Sequence, residues 1–189
     1  MNLKLNTSQI LFNSLKELLK VKTFDKITVS DITNNCGASR TTFYYHFKDK
    51  YELSCWEFDK YMQQITNKMS KEKTNLKSNT LHALAYLEQN KEYYANLIKY
   101  DGQNSFYNTF LQIFLKNTNS YYKRLLGVTK LSEALNFSLE YNAAAHTYII
   151  FRWIKSGCKM QKERLSDLIN LNYANNYPYN VVNQDTQKG

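Results

Sequence analysis

One proline, Pro178, and five glycines in 189 residues leave little to interrupt a helix. Proline removes a backbone donor and clashes with the preceding turn, and glycine costs about 1 kcal/mol in a helix interior, so their scarcity favours an almost all-α chain. Cysteine is scarce too. Cys36, Cys55 and Cys158 are odd in number and widely scattered, which argues against a disulfide framework and reads as three small buried residues. Of the three histidines, His82 and His146 have no Cys, His or carboxylate at ligand spacing, so no metal is expected. A Gly-rich phosphate loop, a Gly-x-Ser-x-Gly elbow, a His-Glu-x-x-His pair and paired cysteines are all missing, so neither catalysis nor a cofactor is expected. No apolar run approaches the roughly 18 residues of a membrane span, and the N-terminus carries no signal-peptide core. The expectation is a cytoplasmic protein with no membrane partner.

What is present is positive charge. Lys and Arg number 25 against 16 Asp and Glu, a net +9. Residues 1–50 hold eight of the basic and four of the acidic residues, so basic density is highest near the N-terminus. That balance suits a polyanionic partner without identifying one.

Local chemistry marks three successive helix starts within residues 27–53. Thr28 followed by Asp31 has capping-box spacing, which places a helix start near Val29. Gly37 supplies a permissive backbone for its end, and Ser39 caps a second short helix over 39–46 after a two-residue turn. Asp49 with Glu52 forms an acidic capping box for a third. Two short helices broken at one glycine have the layout of a helix-turn-helix, whose second helix enters a DNA major groove. In the second helix and its flanks, Ile32, Cys36, Ala38, Phe43 and Phe47 can pack inward. Ser39, Arg40, Thr41, Thr42, Tyr44 and Tyr45 are left outside, and they are residue types that suit base edges and phosphates. Upstream, Thr7 can cap a first helix in which Ile10, Leu11, Leu15, Leu18 and Leu19 recur at three- and four-residue steps.

The run Thr-Val-Ser-Asp-Ile, followed by Gly-Ala-Ser-Arg-Thr-Thr-Phe-Tyr-Tyr-His-Phe-Lys-Asp-Lys-Tyr-Glu-Leu, resembles the N-terminal DNA-binding domain of the TetR/AcrR family of one-component regulators. The Phe-Tyr-Tyr-His-Phe-Lys-x-Lys portion is its most specific part. The resemblance implies DNA-facing roles for Thr28 and Ser30, for Ser39, Arg40, Thr41 and Thr42 on the recognition helix, and for Tyr44, Tyr45 and His46 at its end. Lys50 would grip a phosphate. Cys36 stands where alanine is common and Ala38 where a larger aliphatic is common, and both changes concern packing. The resemblance further implies a homodimer on a palindromic operator in double-stranded DNA, repression as the commoner behaviour, and release by a small-molecule effector of unknown identity. Part of the pattern is similar to a subgroup around dihydroxyacetone-kinase operon regulation, in which some regulators activate and some work with a second protein.

The expected organisation is all-α with about nine helices. Residues 1–48 form a three-helix DNA-binding domain, 49–175 a helical effector-binding and dimerisation domain, and 176–189 a frayed tail. A long helix from Asp49 to about Ser70 links the two, the polar stretch 71–80 reads as a loop, and further helices are expected at about 78–89, 91–100, 104–122, 130–155 and 162–174. The stretch 130–155 is apolar on nearly every face and needs cover on all of them. It is therefore expected to pair with its symmetry mate through Leu139, Ala143, His146 and Ile150, joined by Leu165, Leu168 and Ile169. An effector pocket is sketched from Trp56, Tyr93, Phe106, Phe110, Tyr148 and Trp153 among the abundant aromatics.

Overall fold

The computed structural model describes residues 6–72, 76–99 and 105–175, and within these it leaves the side chains of 66, 68–72, 76–78, 105 and 173–175 undescribed. The expected tail at 176–189 lies outside the described residues. The described residues form nine α-helices and one 3₁₀ turn: α1 (Thr7–Leu18), the turn Phe24–Lys26, α2 (Val29–Cys36), α3 (Arg40–His46), α4 (Lys50–Glu72), α5 (Leu76–Gln89), α6 (Lys91–Lys99), α7 (Ser105–Leu126), α8 (Glu133–Lys155) and α9 (Lys162–Asn175). The fold is all-α, as the scarcity of helix breakers requires.

Several expected boundaries move, among them the end of α7, which runs on to Leu126, and the start of α8, which begins at Glu133. α1 is capped by Asn6, whose side-chain oxygen accepts from the Gln9 N–H at 2.8 Å, and Thr7 is the first helical residue. The stretch 71–80 is mostly helix: only 73–75 lie between α4 and α5, and those three are outside the described residues. Lys, Asn, Ser and Thr there read as a loop, but they tolerate a helix wherever α5 has a partner to cover it, and α9 lies against α5.

The other caps form where the side-chain chemistry puts them. Thr28 accepts from the Asp31 N–H at 3.1 Å, and the Asp31 carboxylate accepts from the Thr28 N–H at 2.9 Å. Those bonds, with Lys22 at 3.0 Å, hold the Asp31 pKa down to about 2, so acid must go well below the ordinary carboxylate range to open this cap. α2 stops at Gly37, whose φ of 68° is left-handed. Ser39 accepts from the Thr42 N–H at 2.9 Å. At α4, Asp49 accepts from the Tyr51 and Glu52 N–H groups at 2.9 Å, while Glu52 accepts from the N–H of Lys48 rather than that of Asp49.

α1, α2 and α3 close over Leu11, Leu15, Phe24, Ile27, Ile32 and Phe43, all fully buried. The apolar core does not stop at residue 48. Trp56 on α4 lies between Phe12 and Phe47, with ring centroids 5.7 and 6.3 Å away, and Tyr93 on α6 meets Phe12 at 5.8 Å. From there α4 packs along α7, where Phe58 stacks on Phe110 at 4.7 Å, and α7 packs on α8. At about 1.5 Å per residue α4 is roughly 34 Å long, so one rigid element runs from the helix-turn-helix to the middle of the helical bundle.

Candidate nucleic-acid interface

Seven residues make a short helix, and α3 persists because both of its ends are held. Ser39 caps its start, and at its end the Phe47 N–H donates to the Phe43 carbonyl at 2.9 Å. Phe43 and Phe47 anchor it in the core. This leaves Arg40, Thr41, Tyr44 and Tyr45 on the outer surface, Tyr45 being 85% exposed. Arg40 donates to the Ser30 hydroxyl at 3.2 Å, which ties the start of α3 to α2.

The ten residues expected to face DNA divide into different tasks. Thr28 is engaged by the capping box, where its hydroxyl also donates to Asp31 at 2.9 Å. Ser39 and Thr42 share a hydroxyl–hydroxyl bond of 2.8 Å at the cap. His46 is exposed and 3.4 Å from the Ser8 hydroxyl on α1, with Tyr45 edge-on to its ring. Thr41, Tyr44 and Tyr45 are exposed, with no polar bond among the described residues.

Lys50 points the other way. Its ammonium donates to the carbonyls of Phe24 at 2.8 Å, Asp25 at 3.1 Å and Ile27 at 2.7 Å, and it lies 4.8 Å from the Phe24 ring centroid. Three N–H groups meet three acceptors, so none remains for a phosphate. Burial lowers its pKa, opposed by the Asp25 and Asp31 carboxylates. The expected phosphate grip is therefore replaced by a tie between the start of α4 and the turn ahead of α2. Lys48, which the sequence reading passed over, is exposed beside the end of α3 and carries no side-chain bond among the described residues. No local signal separates the two lysines, because Lys50 is drawn inward by the carbonyls of Phe24, Asp25 and Ile27, more than 20 residues away in sequence.

The six aromatics sketched as an effector pocket do not converge. Trp56 sits at the joint described above. Tyr93 donates its hydroxyl to the Ser54 carbonyl at 2.8 Å, Phe106 and Phe110 are fully buried in the core, Tyr148 is 59% exposed, and the Trp153 indole donates to the Met160 carbonyl at 2.8 Å. Aromatic composition carried no information on which rings fill a core and which line a space. A separate cavity lies between α4, α5, α7, α8 and α9, and none of the six lines it.

Of the expected dimer residues, Leu139, Ala143 and Ile150 are buried within the single chain, while His146, Leu165 and Ile169, none more than 7% exposed, and the half-exposed Leu168 line an open groove beside α8 and α9. The outward stripe of α8 is Phe137 at 68%, Tyr141 at 71% and Tyr148 at 59%, with Ala144 and Ala145 between them. An open groove of about 1220 Å³ runs beside that stripe and α9. Because α8 is apolar all round, hydrophobicity could not distinguish the side taken by α6 and α7 from the side left over. Among the described residues no helix is long and apolar enough to cross a membrane.

Comparison with known proteins agrees with this geometry. Residues 12–54 match the family described as bacterial regulatory proteins, tetR family, and residues 74–172 match the transcriptional regulator C-terminal region of the same family. The HTH-type dhaKLM operon transcriptional activator DhaS of Lactococcus lactis subsp. lactis (strain IL1403) is 28% identical over 171 residues, covering 87% of this chain and 88% of that one. A solved structure of a dihydroxyacetone kinase operon activator DhaS superposes with a TM-score of 0.55 at 25% identity, covering 90% of this chain and 96% of the other. With its N-terminal helices and more than half of its length matched, the chain belongs to the TetR family of DNA-binding regulators, within a subgroup that resembles DhaS.

Proposed function

We propose that two copies of this chain bind a palindromic operator in cytoplasmic double-stranded DNA, and that a small-molecule effector releases them, so that the protein acts as a repressor. The observation that carries this reading is α3, a short helix fixed at both ends that leaves Arg40, Thr41, Tyr44 and Tyr45 outward. Arg40 supplies a fork for a guanine edge, Thr41 a methyl and a hydroxyl, and the two phenols reach phosphate oxygens. In a two-fold dimer the α3 helices need a spacing of one DNA turn, roughly 34–36 Å. An effector that binds better to another spacing then shifts the population off DNA. A second reading is activation in concert with a partner protein. It is favoured by the two DhaS relatives, both named as activators.

Selection of the purified protein against random duplex DNA tests the first part. Enrichment of a palindrome bound by two chains is the expected result, and Arg40→Ala should relax preference at particular base pairs while keeping the site length. Weak, sequence-blind binding would transfer support to the partner-dependent reading.

The two lysines are separable by salt. Lys48→Ala should weaken binding to every duplex and reduce the slope of log affinity against log salt by about one unit, because one phosphate contact is lost. Lys50→Met should leave that slope unchanged and lower the melting temperature instead, since the carbonyls of Asp25 and Ile27 lose the ammonium donor and that of Phe24 keeps only the Ile27 N–H at 3.2 Å. Equal slope changes in both variants would restore Lys50 to the DNA interface.

A further inference from the structure

α8 carries opposite charge at its two ends, with Glu133 in the first turn and Arg152 and Lys155 in the last. Each charge suits the dipole of its own helix, and that alone would let it stand anywhere around the helix. Glu133 and Arg152 instead share the outward side with Phe137, Tyr141 and Tyr148, and all five are exposed. Glu133, Phe137, Tyr141 and Arg152 line the open groove beside α9. The Arg152 guanidinium lies 6.0 Å from the centre of the Tyr148 ring, which keeps it along the stripe. Neither Glu133 nor Arg152 forms an ion pair among the described residues.

The stripe is symmetric about the point midway between Asn142 and Ala143. Glu133 lies as far before that point as Arg152 lies after it, and the same holds for Phe137 with Tyr148 and for Tyr141 with Ala144. At 3.6 residues per turn these six positions fall within about 100° of the helix circumference. A second copy laid antiparallel over the first about that point therefore brings complementary groups together at each level. Glu133 meets the partner's Arg152, Phe137 the partner's Tyr148, and Tyr141 the partner's Ala144. The exposed small residues Ala144 and Ala145 leave room at the centre for the Tyr141 ring and for close approach of the helices. Glu133 and Arg152 are roughly 28 Å apart along the axis, so both ion pairs close only at a shallow crossing angle, about 20°. A parallel pairing would set Glu133 against Glu133 and Arg152 against Arg152.

We propose that Glu133 and Arg152 select the partner of α8: they pair between two copies, fix the antiparallel register about Asn142 and Ala143, and admit a second copy of this chain in preference to a regulator without these charges at these positions. This rests on the two-copy reading above and adds register and selectivity to it.

Exchanging the charges tests it in the full chain. Glu133→Arg alone sets like charges against each other at both ends of the self-pair, and so does Arg152→Glu alone. Each should weaken self-association in sedimentation by about tenfold or more, with the helical circular dichroism unchanged because both side chains are exposed. Mixed in equal amounts, the two variants restore both ion pairs in a dimer holding one of each. That dimer should form within about threefold of wild-type strength, and native mass spectrometry separates it from either self-pair. One chain carrying both substitutions should self-associate like the wild type, which keeps the test decisive if either single variant folds poorly. Single variants that pair with themselves as tightly as the wild type, or a mixture with no preference for the mixed dimer, overturn the register and leave the two-copy reading in place. A wild type that sediments as one chain at micromolar concentration overturns both. None of these readouts needs DNA, so a failure of the operator reading shows separately.

Discussion

On the proposed two-copy reading, Tyr141→Asp should leave a single 22.4 kDa chain at micromolar concentration and lower operator affinity by about 100-fold or more. Tyr141 stands 71% exposed between Phe137 and Tyr148 on the outward stripe of α8. In a two-fold interface the same patch meets itself, so the substitution places a carboxylate among aromatic rings from both copies and brings its symmetry mate into the same desolvated region. Losing the dimer unlinks the two half-sites, and the second binding event forfeits an effective concentration worth 10²–10⁴ in avidity. Because the side chain is exposed in the single chain, the fold of each subunit should survive, with a change within about 0.5 kcal/mol. Sedimentation mass and anisotropy titration of the selected operator check both halves. A two-chain mass with unchanged affinity would move the interface elsewhere, whereas Leu139→Asp, by contrast, should damage folding itself because that side chain is 1% exposed.

Phe110→Ala should lower unfolding free energy by about 3–5 kcal/mol, a large share of the roughly 5–15 kcal/mol available to a domain of this kind. Phe110 is fully buried on α7. It stacks on Phe58 at 4.7 Å with ring planes 16° apart, and meets Phe151 of α8 edge-on at 5.2 Å. Truncation removes these ring contacts and a third, to Phe106 at 6.1 Å, and leaves a void at the crossing of α4, α7 and α8. Urea unfolding at matched protein concentration measures it, with a lower midpoint expected at an unchanged m-value. Phe58→Ala combined with Phe110→Ala should cost less than the sum of the two, because each removes the other's partner. A loss below about 1 kcal/mol from Phe110→Ala would mean that the α4–α7 seam is held by something other than this stack.

The N-terminal module was legible because its signals are local. Thr28 with Asp31, Gly37, Ser39 and Asp49 act within four residues of themselves, so spacing alone located the ends of α2 and α3 and the start of α4. Capping chemistry is also why Ser39, Thr42 and Thr28 were easy to find and hard to assign: the same hydroxyl that suits DNA is engaged at a helix end. The bundle was less legible. A stretch such as 130–155 declares itself a helix through its length and freedom from breakers, yet its even apolarity hides which face is which.

By itself the sequence determined that the chain is helical, where the short helices begin and stop, and which family of DNA-binding regulators it joins, because these depend on breakers, caps and residue types at short range. Only the tertiary structure decided which of two neighbouring lysines turns inward, which side of α8 is left uncovered, and where the bundle leaves a space. Those outcomes depend on what other helices bring to the same place. Lys50 is inward because the carbonyls of Phe24, Asp25 and Ile27 converge on it, and Tyr141 is outward because α6 and α7 cover the other side of α8.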